Sequence, residues 1–373
     1  MKTTRRYAVG LAAIAMATAG LLAGTAGGAG ASPFPAFVGP LHHTSVIAST
    51  VPANGDLNPY GVAVIPRSTG DLFRGNILVS NFNDKTNTQG TGTTIVEVTP
   101  SGKMFLFAQI DRNLATCPGG VGLTTALTVL RSGWVIVGSL PTQNGAVSGP
   151  GCLIVLDRFG TVQETFTGNG INGPWDMASL DLGNKAVLFV TNVLNGTVAG
   201  NGKTVFGGTV IRLVIKIPSM GLPFIRFDTT IGSGFPEALN MAALVLGPTG
   251  AGLGPNGVLY VADNIDNRIA GIPNALFRGS SAGTGFTVSQ GHHLLAPLGL
   301  VIAPNGNILT VNGGNGNLVE TTPFGAQIAV RQLDSSGGPP PGAGALFGLA
   351  VKPGHDAVYY VDDATNTLTL LHH

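Results

Sequence analysis

The stretch "GVLYVADNIDNRIAGI" (residues 257–272) runs from an apolar segment through a polar knot, Asp263 to Asn267, and back into apolar residues. A short β-favouring run, a cluster of Asn and Asp, and a second β-favouring run are the pattern of two strands joined by a tight turn. Taken singly this is one hairpin, but recurring at a regular interval it decides the architecture.

It does recur. Without gaps, "ILVSNFND" (77–84), "VIVGSLPT" (135–142), "LFVTNVLN" (188–195), "LYVADNID" (259–266), "ILTVNGGN" (308–315) and "YYVDDATN" (359–366) align. The fifth column holds Asn81, Ser139, Asn192, Asp263, Asn312 and Asp363, and the eighth is likewise Asp, Asn or Thr throughout. A second motif precedes each unit: "PYGVAV" (59–64), "TTALTV" (124–129), "PWDMAS" (174–179), "ALNMAA" (238–243), "PLGLVI" (297–302) and "LFGLAV" (346–351). Turn signals such as Pro255-Asn256-Gly257 and Pro304-Asn305-Gly306 separate the two motifs and close hairpins. Third and fourth strands follow, as in "TIVEV" (94–98) and "KMFLFA" (103–108).

Four antiparallel strands repeated six times specify an all-β chain, a six-bladed β-propeller. The blades are expected at about 57–110, 123–168, 173–232, 236–290, 294–334 and 345–373. The last blade has three strands of its own, so the N-terminal strand at 44–51 is expected to complete it and close the ring. A composition of 57 Gly and 24 Pro in 373 residues, with 10% charged residues, suits many short strands and tight turns.

Residues 1–31 differ from the rest. Lys2, Arg5 and Arg6 precede an apolar run that ends in Ala29-Gly30-Ala31, which reads as a secretory signal peptide cleaved before Ser32. The Arg5-Arg6 pair hints at twin-arginine export, with ordinary secretion the alternative. The propeller then occupies 32–373, secreted or periplasmic, with no membrane span in the mature chain. No Lys/Arg cluster follows residue 31, which argues against nucleic acid as a partner. A closed ring without free edges is expected to be a monomer.

The fourth unit, with Leu-Tyr-Val-Ala-Asp followed by Asn and Arg before an Ile, resembles the NHL repeat. Pro-Asn-Gly leading into Leu-Tyr-Val-Ala-Asp also resembles gluconolactonase-like, or regucalcin-type, six-bladed propellers. The resemblance implies a top-face channel mouth at which a Glu, an Asp and Asn side chains hold a metal that activates water against a lactone. The candidates for those ligands are Glu237, Asp263, Asn192 and Asn240, with Ca²⁺ or another divalent cation as the ion. Asn81, Ser139, Asp176, Asn312 and Asp363 complete the ring around the mouth.

Two readings of these polar positions stand side by side. Asx side chains bond their own backbone two or three residues on, so a recurring Asx column is what a recurring turn requires. The exceptions carry more information: Asp176 and Asn240 stand where sibling blades have Gly or Ala, and Glu237 precedes Asn240. The first functional reading is a binding protein that takes a small molecule, a glycan or a protein partner at its top face. The alternatives are a metal-dependent hydrolase of a lactone or similar ester, and a lyase.

Cys117 and Cys152 are expected to form a disulfide, with free thiols the alternative. His42 and His43 are expected to meet His372 and His373 where the ring closes. The Gly279-Ser280-Ser281-Ala282-Gly283 segment fits G-x-S-x-G only formally, because no strand–turn–helix surrounds it. The insertions at 144–151 and 196–208 are expected to rise above the top face.

Overall fold

A computed structural model describes residues 35–143, 145–240, 243–354 and 356–373. The signal peptide expected at 1–31 lies outside the described residues.

Local chemistry makes the hairpins first. In the fourth blade, Pro255-Asn256-Gly257 turns the chain with Gly257 at φ 75°, and Asn256 Oδ1 accepts the Val258 N–H at 3.1 Å. The polar knot at 263–267 is the opposite turn: strand Leu259–Asp263 pairs with Arg268–Ile272, and Asn267 adopts the left-handed conformation at φ 50°. Asn tolerates that region because its short side chain bonds locally.

Six antiparallel blades of four strands result, blade three carrying a fifth short strand and blade six taking one strand from the N-terminal end. Their innermost strands are Leu57–Val64, Leu127–Val129, Pro174–Asp181, Pro248–Leu253, Pro297–Ile302 and Leu346–Val351. The middle strands are buried on both faces because a neighbouring blade covers each side. This is why Val135–Ser139 and Leu259–Asp263 read as continuous apolar runs rather than as alternation. Alternate residues of one strand feed different wedges of core: Ile136 packs with blade three, whereas Val135 and Val137 pack with blade one.

The ring closes through strand His43–Ser49, which pairs antiparallel with Thr367–His372 from His43 opposite His372 to Ser49 opposite Thr367. The segment before it is anchored by buried Glu320, whose carboxylate accepts the Phe37 and Val38 N–H groups at 2.7 and 2.8 Å. Cys117 and Cys152 are bonded, with a Cα separation of 5.5 Å across 35 residues. Closing a loop of that length stabilises the fold by about 4 kcal/mol in the chain-entropy account.

Two alignments need correction. Blade four starts at Pro248 rather than near residue 236, and its inner motif is "PTGAGL", not "ALNMAA". The outer strand of blade three runs on as Phe224–Asn240 and folds back through Leu244–Leu246, so 238–243 belongs to a hairpin appended to blade three. In blade six the residue opposite the inner strand is Asp362, paired with Leu346; the ungapped alignment had placed Asp363 there. Asp363 is the first residue of the turn.

Candidate functional site

Inner strands begin at the top face and second strands end there, so strand ends and the loops between second and third strands surround the channel mouth. These parts enclose a chamber of 510 Å³ with contributions from every blade. Its floor is aromatic: Tyr60, Trp175 and Phe347 from the inner strands of blades one, three and six, with Phe82 beside them. Trp175 Nε1 donates to Tyr60 Oη at 2.9 Å, and the two rings meet edge-on at 5.9 Å. Phe347 lies 5.5 Å from Tyr60 and 5.7 Å from Phe82. Such edge-on contacts hold rings in fixed orientation. Leu123, Leu246 and Leu298 complete the apolar part.

The rim is made of amides. Asn58, Asn87, Gln89, Asn240 and Asn264 line it, and Asp363 is its single carboxyl group. Burial pushes Asp363 up to about 7, against the pull of the Asn58 side chain, with nearby Asp362 adding to the rise.

Above the mouth the insertions form a wall on one side. Ribbon Thr142–Gln143 with Ala146–Val147 stands next to the short helix Thr197–Gly200, and both approach Leu239 and Leu244 of the appended hairpin around a smaller hollow. Thr142 Oγ1 ties this wall to blade one by donating to the Gly90 carbonyl at 2.8 Å.

A second chamber of 460 Å³ lies below, between the inner strands of all blades, and Tyr60 lines both chambers. Asp176 lines it at the position where siblings carry Gly61, Ala126, Gly250, Gly299 and Gly348. At Gly61 an added Cβ would come within 2.7 Å of the Thr125 carbonyl in the next blade, which shows how tight this level of the ring is. Burial pushes the Asp176 carboxyl up to about 8, while the Met177 N–H, donating at 2.7 Å, pulls it back.

The ring residues predicted from the sequence occupy mostly buried turn positions. Asn81 Nδ2 donates to the Thr50 carbonyl, Ser139 Oγ accepts the Gly122 N–H, Asn192 Oδ1 accepts the Asn172 N–H, and Asn312 Nδ2 donates to the His293 carbonyl. Each of these four bonds stitches a second strand to the link that enters its own blade. Asp263 is fully buried in an ion pair with Arg268, at 2.7 Å. Burial still lifts it to about 6, with Arg268 opposing that rise.

The four candidate metal ligands lie in separate settings. Asp263 spends one oxygen on Arg268, and Asn192 is bonded to backbone. Asn240 Oδ1 accepts the Ala243 N–H within the appended hairpin. Glu237 is fully buried beneath the 196–208 insertion, opposite Val205, and burial lifts it to about 7. The Asn195 and Thr197 N–H groups oppose that rise electrostatically, without forming a hydrogen bond of good geometry to either oxygen. Among the described residues no three His, Cys, Asp or Glu side chains converge to hold an ion. With Asp263 paired to Arg268, Asn192 and Asn240 bonded to backbone, and Glu237 enclosed, the described residues show no assembled site for the metal that the resemblance implies.

The aromatic floor is what sequence reasoning missed. Its signal stands one column before the small residue of the inner motif, where Tyr60, Trp175 and Phe347 share the column with Thr125, Thr249 and Leu298. Among the described residues no helix is long and apolar enough to cross a membrane.

No protein-family profile matches the chain, and no curated relative matches it. Solved structures do. A gluconolactonase from Xanthomonas campestris superposes with a TM-score of 0.53 at 11% identity, covering 86% of this chain and 87% of that one. A luciferin-regenerating enzyme superposes with a TM-score of 0.54 at 10% identity, covering 89% of this chain and 96% of that one. The likeness is one of fold, and this chain has the six-bladed architecture of the gluconolactonase-like propellers.

Proposed function

We propose that the protein, exported from the cytoplasm, is a binding protein that takes a small, largely apolar molecule into its top-face chamber. The observation that carries this reading is the chamber itself: 510 Å³, lined by all six blades, with an interlocked aromatic floor and an amide rim. Small-molecule sites have this size and this make-up, an apolar body contact with a few placed polar groups. Rings fixed by their neighbours lose little freedom on binding, which favours affinity. Ligand carbonyl and hydroxyl groups find partners in the rim amides, and an anionic ligand is disfavoured beside Asp363. The Cys117–Cys152 bond is consistent with an oxidising compartment.

Trp134→Phe leaves Trp175 as the sole tryptophan, because the chain has two. Compounds that change its fluorescence saturably are expected to lose tenfold or more in affinity with Phe347→Leu, and to be unaffected by His372→Ala at the remote ring closure. Binding insensitive to Phe347→Leu overturns the assignment. Including lactones and simple esters in the screen separates binding from hydrolysis. Turnover that disappears in Asp363→Asn converts the reading to that of a hydrolase with Asp363 as its base.

A further inference from the structure

The lower chamber has a use that the upper one does not explain. Its walls are the apolar side chains and backbone of six inner strands, and its one carboxyl group is Asp176. Two wall hydroxyls, Thr128 and Ser179, satisfy each other at 2.7 Å. One oxygen of Asp176 accepts the Met177 N–H, and no hydrogen bond from a described residue reaches the other. Asp176 is partly accessible from the chamber, while Val64, Leu180 and Ile302 toward the lower mouth are also partly exposed.

We infer that this chamber is a second ligand site, which binds an apolar primary amine with its ammonium group against Asp176 and its hydrocarbon tail along the inner strands toward the bottom face. The complementarity has three parts. A carboxylate in an apolar tube is short of a countercharge, and an ammonium group supplies that charge together with hydrogen-bond donors. The tube walls remove the tail from water. The strand runs five residues from Asp176 to its end at Asp181, about 16 Å at 3.3 Å per residue, which suits a chain of eight to twelve carbons.

Proton linkage follows from the surroundings of Asp176. Tyr60 on blade one is the ionisable group facing it, and its phenol is pushed up by burial and by the neighbouring Asp176 charge. The other strands present Leu127, Ala251, Leu300 and Leu349, and its own blade adds the Thr191 hydroxyl. With burial holding the acid near 8, the free site is mainly protonated at pH 7 and must release its proton when it receives an ammonium ion. Affinity is therefore expected to rise about tenfold per pH unit up to about 8 and to level off above it.

The probe is n-octylammonium, titrated calorimetrically into the full chain at pH 7 in two buffers of different ionisation enthalpy. The expected result is saturable binding with release of close to one proton, reduced tenfold or more in Asp176→Asn and in Asp176→Gly. The glycine variant restores the residue found in four sibling blades, so retained melting behaviour there separates lost binding from lost folding. 1-Octanol is expected to bind more weakly and with equal affinity to all three proteins. The inference is overturned by any of three outcomes: octanol binding as tightly as octylammonium, Asp176→Asn retaining affinity, or no binding of octylammonium up to about 1 mM, the weak end of specific binding. It is also overturned if Phe347→Leu weakens octylammonium as much as Asp176→Asn does, since the amine then sits in the upper chamber.

Discussion

Asp263 and Asp176 are carboxylates lifted by burial in adjacent blades, yet their surroundings set them apart. Asp263 ends the second strand of blade four, and Arg268, its direct cross-strand partner, lies 2.7 Å away. The countercharge comes from the same hairpin, so folding the hairpin completes the pair. Asp176 stands on an inner strand with a single backbone N–H and no cation, next to open volume. The pair shows that column position in a repeat does not make a carboxylate available. Availability depends on whether its own blade has already supplied a partner.

Removing Arg268 tests this most severely. Arg268→Met leaves Asp263 buried without its countercharge, which is expected to cost about 3 kcal/mol or more of stability at pH 8. The cost is expected to shrink at pH 5, where a carboxyl lifted to about 6 with its partner present is already protonated without it. Adding Asp263→Asn to Arg268→Met is expected to recover most of the loss. Urea unfolding of the two single variants and the double variant measures the coupling directly. A loss below about 1 kcal/mol at pH 8 breaks the comparison, because Asp263 is then no more dependent on its partner than an exposed ion pair.

Asp176 is expected to show its isolation through pH rather than through a large loss. Its carboxyl ionises near 3.8 in the unfolded chain and at about 8 in the folded one. Between those values the native state holds a proton that the unfolded state has released, so stability falls as pH rises through the window. Asp363 and Glu237, both lifted to about 7, push in the same direction and finish earlier. Asp176→Asn is thus expected to flatten the decline most clearly between pH 7 and 8, read from melting temperatures across that range. An unchanged slope there means that water reaches Asp176 freely, and the contrast with Asp263 disappears.

Much of the fold was legible in the sequence because a propeller repeats its turn chemistry. A small polar residue, Asx or Ser139, at the end of each second strand and a Gly-containing turn before it are local requirements, and they recur whatever lies between. The N-terminal strand that closes blade six follows from the same count. Insertions interrupt this legibility. The outer strand of blade three continues to Asn240 and doubles back, so "ALNMAA" arrived where the next inner strand was due and carried Glu237 and Asn240 into the candidate site with it. Pro248-Thr249-Gly250 had the better inner-strand pattern, but it contains no acid to draw attention. The aromatic floor was missed for a related reason. Tyr60, Trp175 and Phe347 read as ordinary core when viewed blade by blade, and only closure of the ring brings three sequence-distant rings into contact.

Glu237 carries the smallest expected effect and the closest test of the metal reading. It lies under the 196–208 insertion with both oxygens buried, and a Cβ added at Gly207 would come within 2.8 Å of Oε1. The space around it is thus filled by backbone. Burial lifts it from 4.5 to about 7, so its ionisation weighs against the folded state above that pH. Glu237→Gln removes the ionisation and keeps the shape. The expected outcome is a change within about 1 kcal/mol, in the stabilising direction at pH 8. Millimolar Ca²⁺ is expected to leave the melting temperatures of the parent and the variant equally unmoved. Anything that binds the native state alone raises its stability in proportion to the logarithm of its concentration. A rise with Ca²⁺ in the parent that vanishes in Glu237→Gln would make Glu237 a ligand, and a buried acid without a counterion in its own blade would again be the residue to follow, in this case from beneath a loop that has to open to admit the ion.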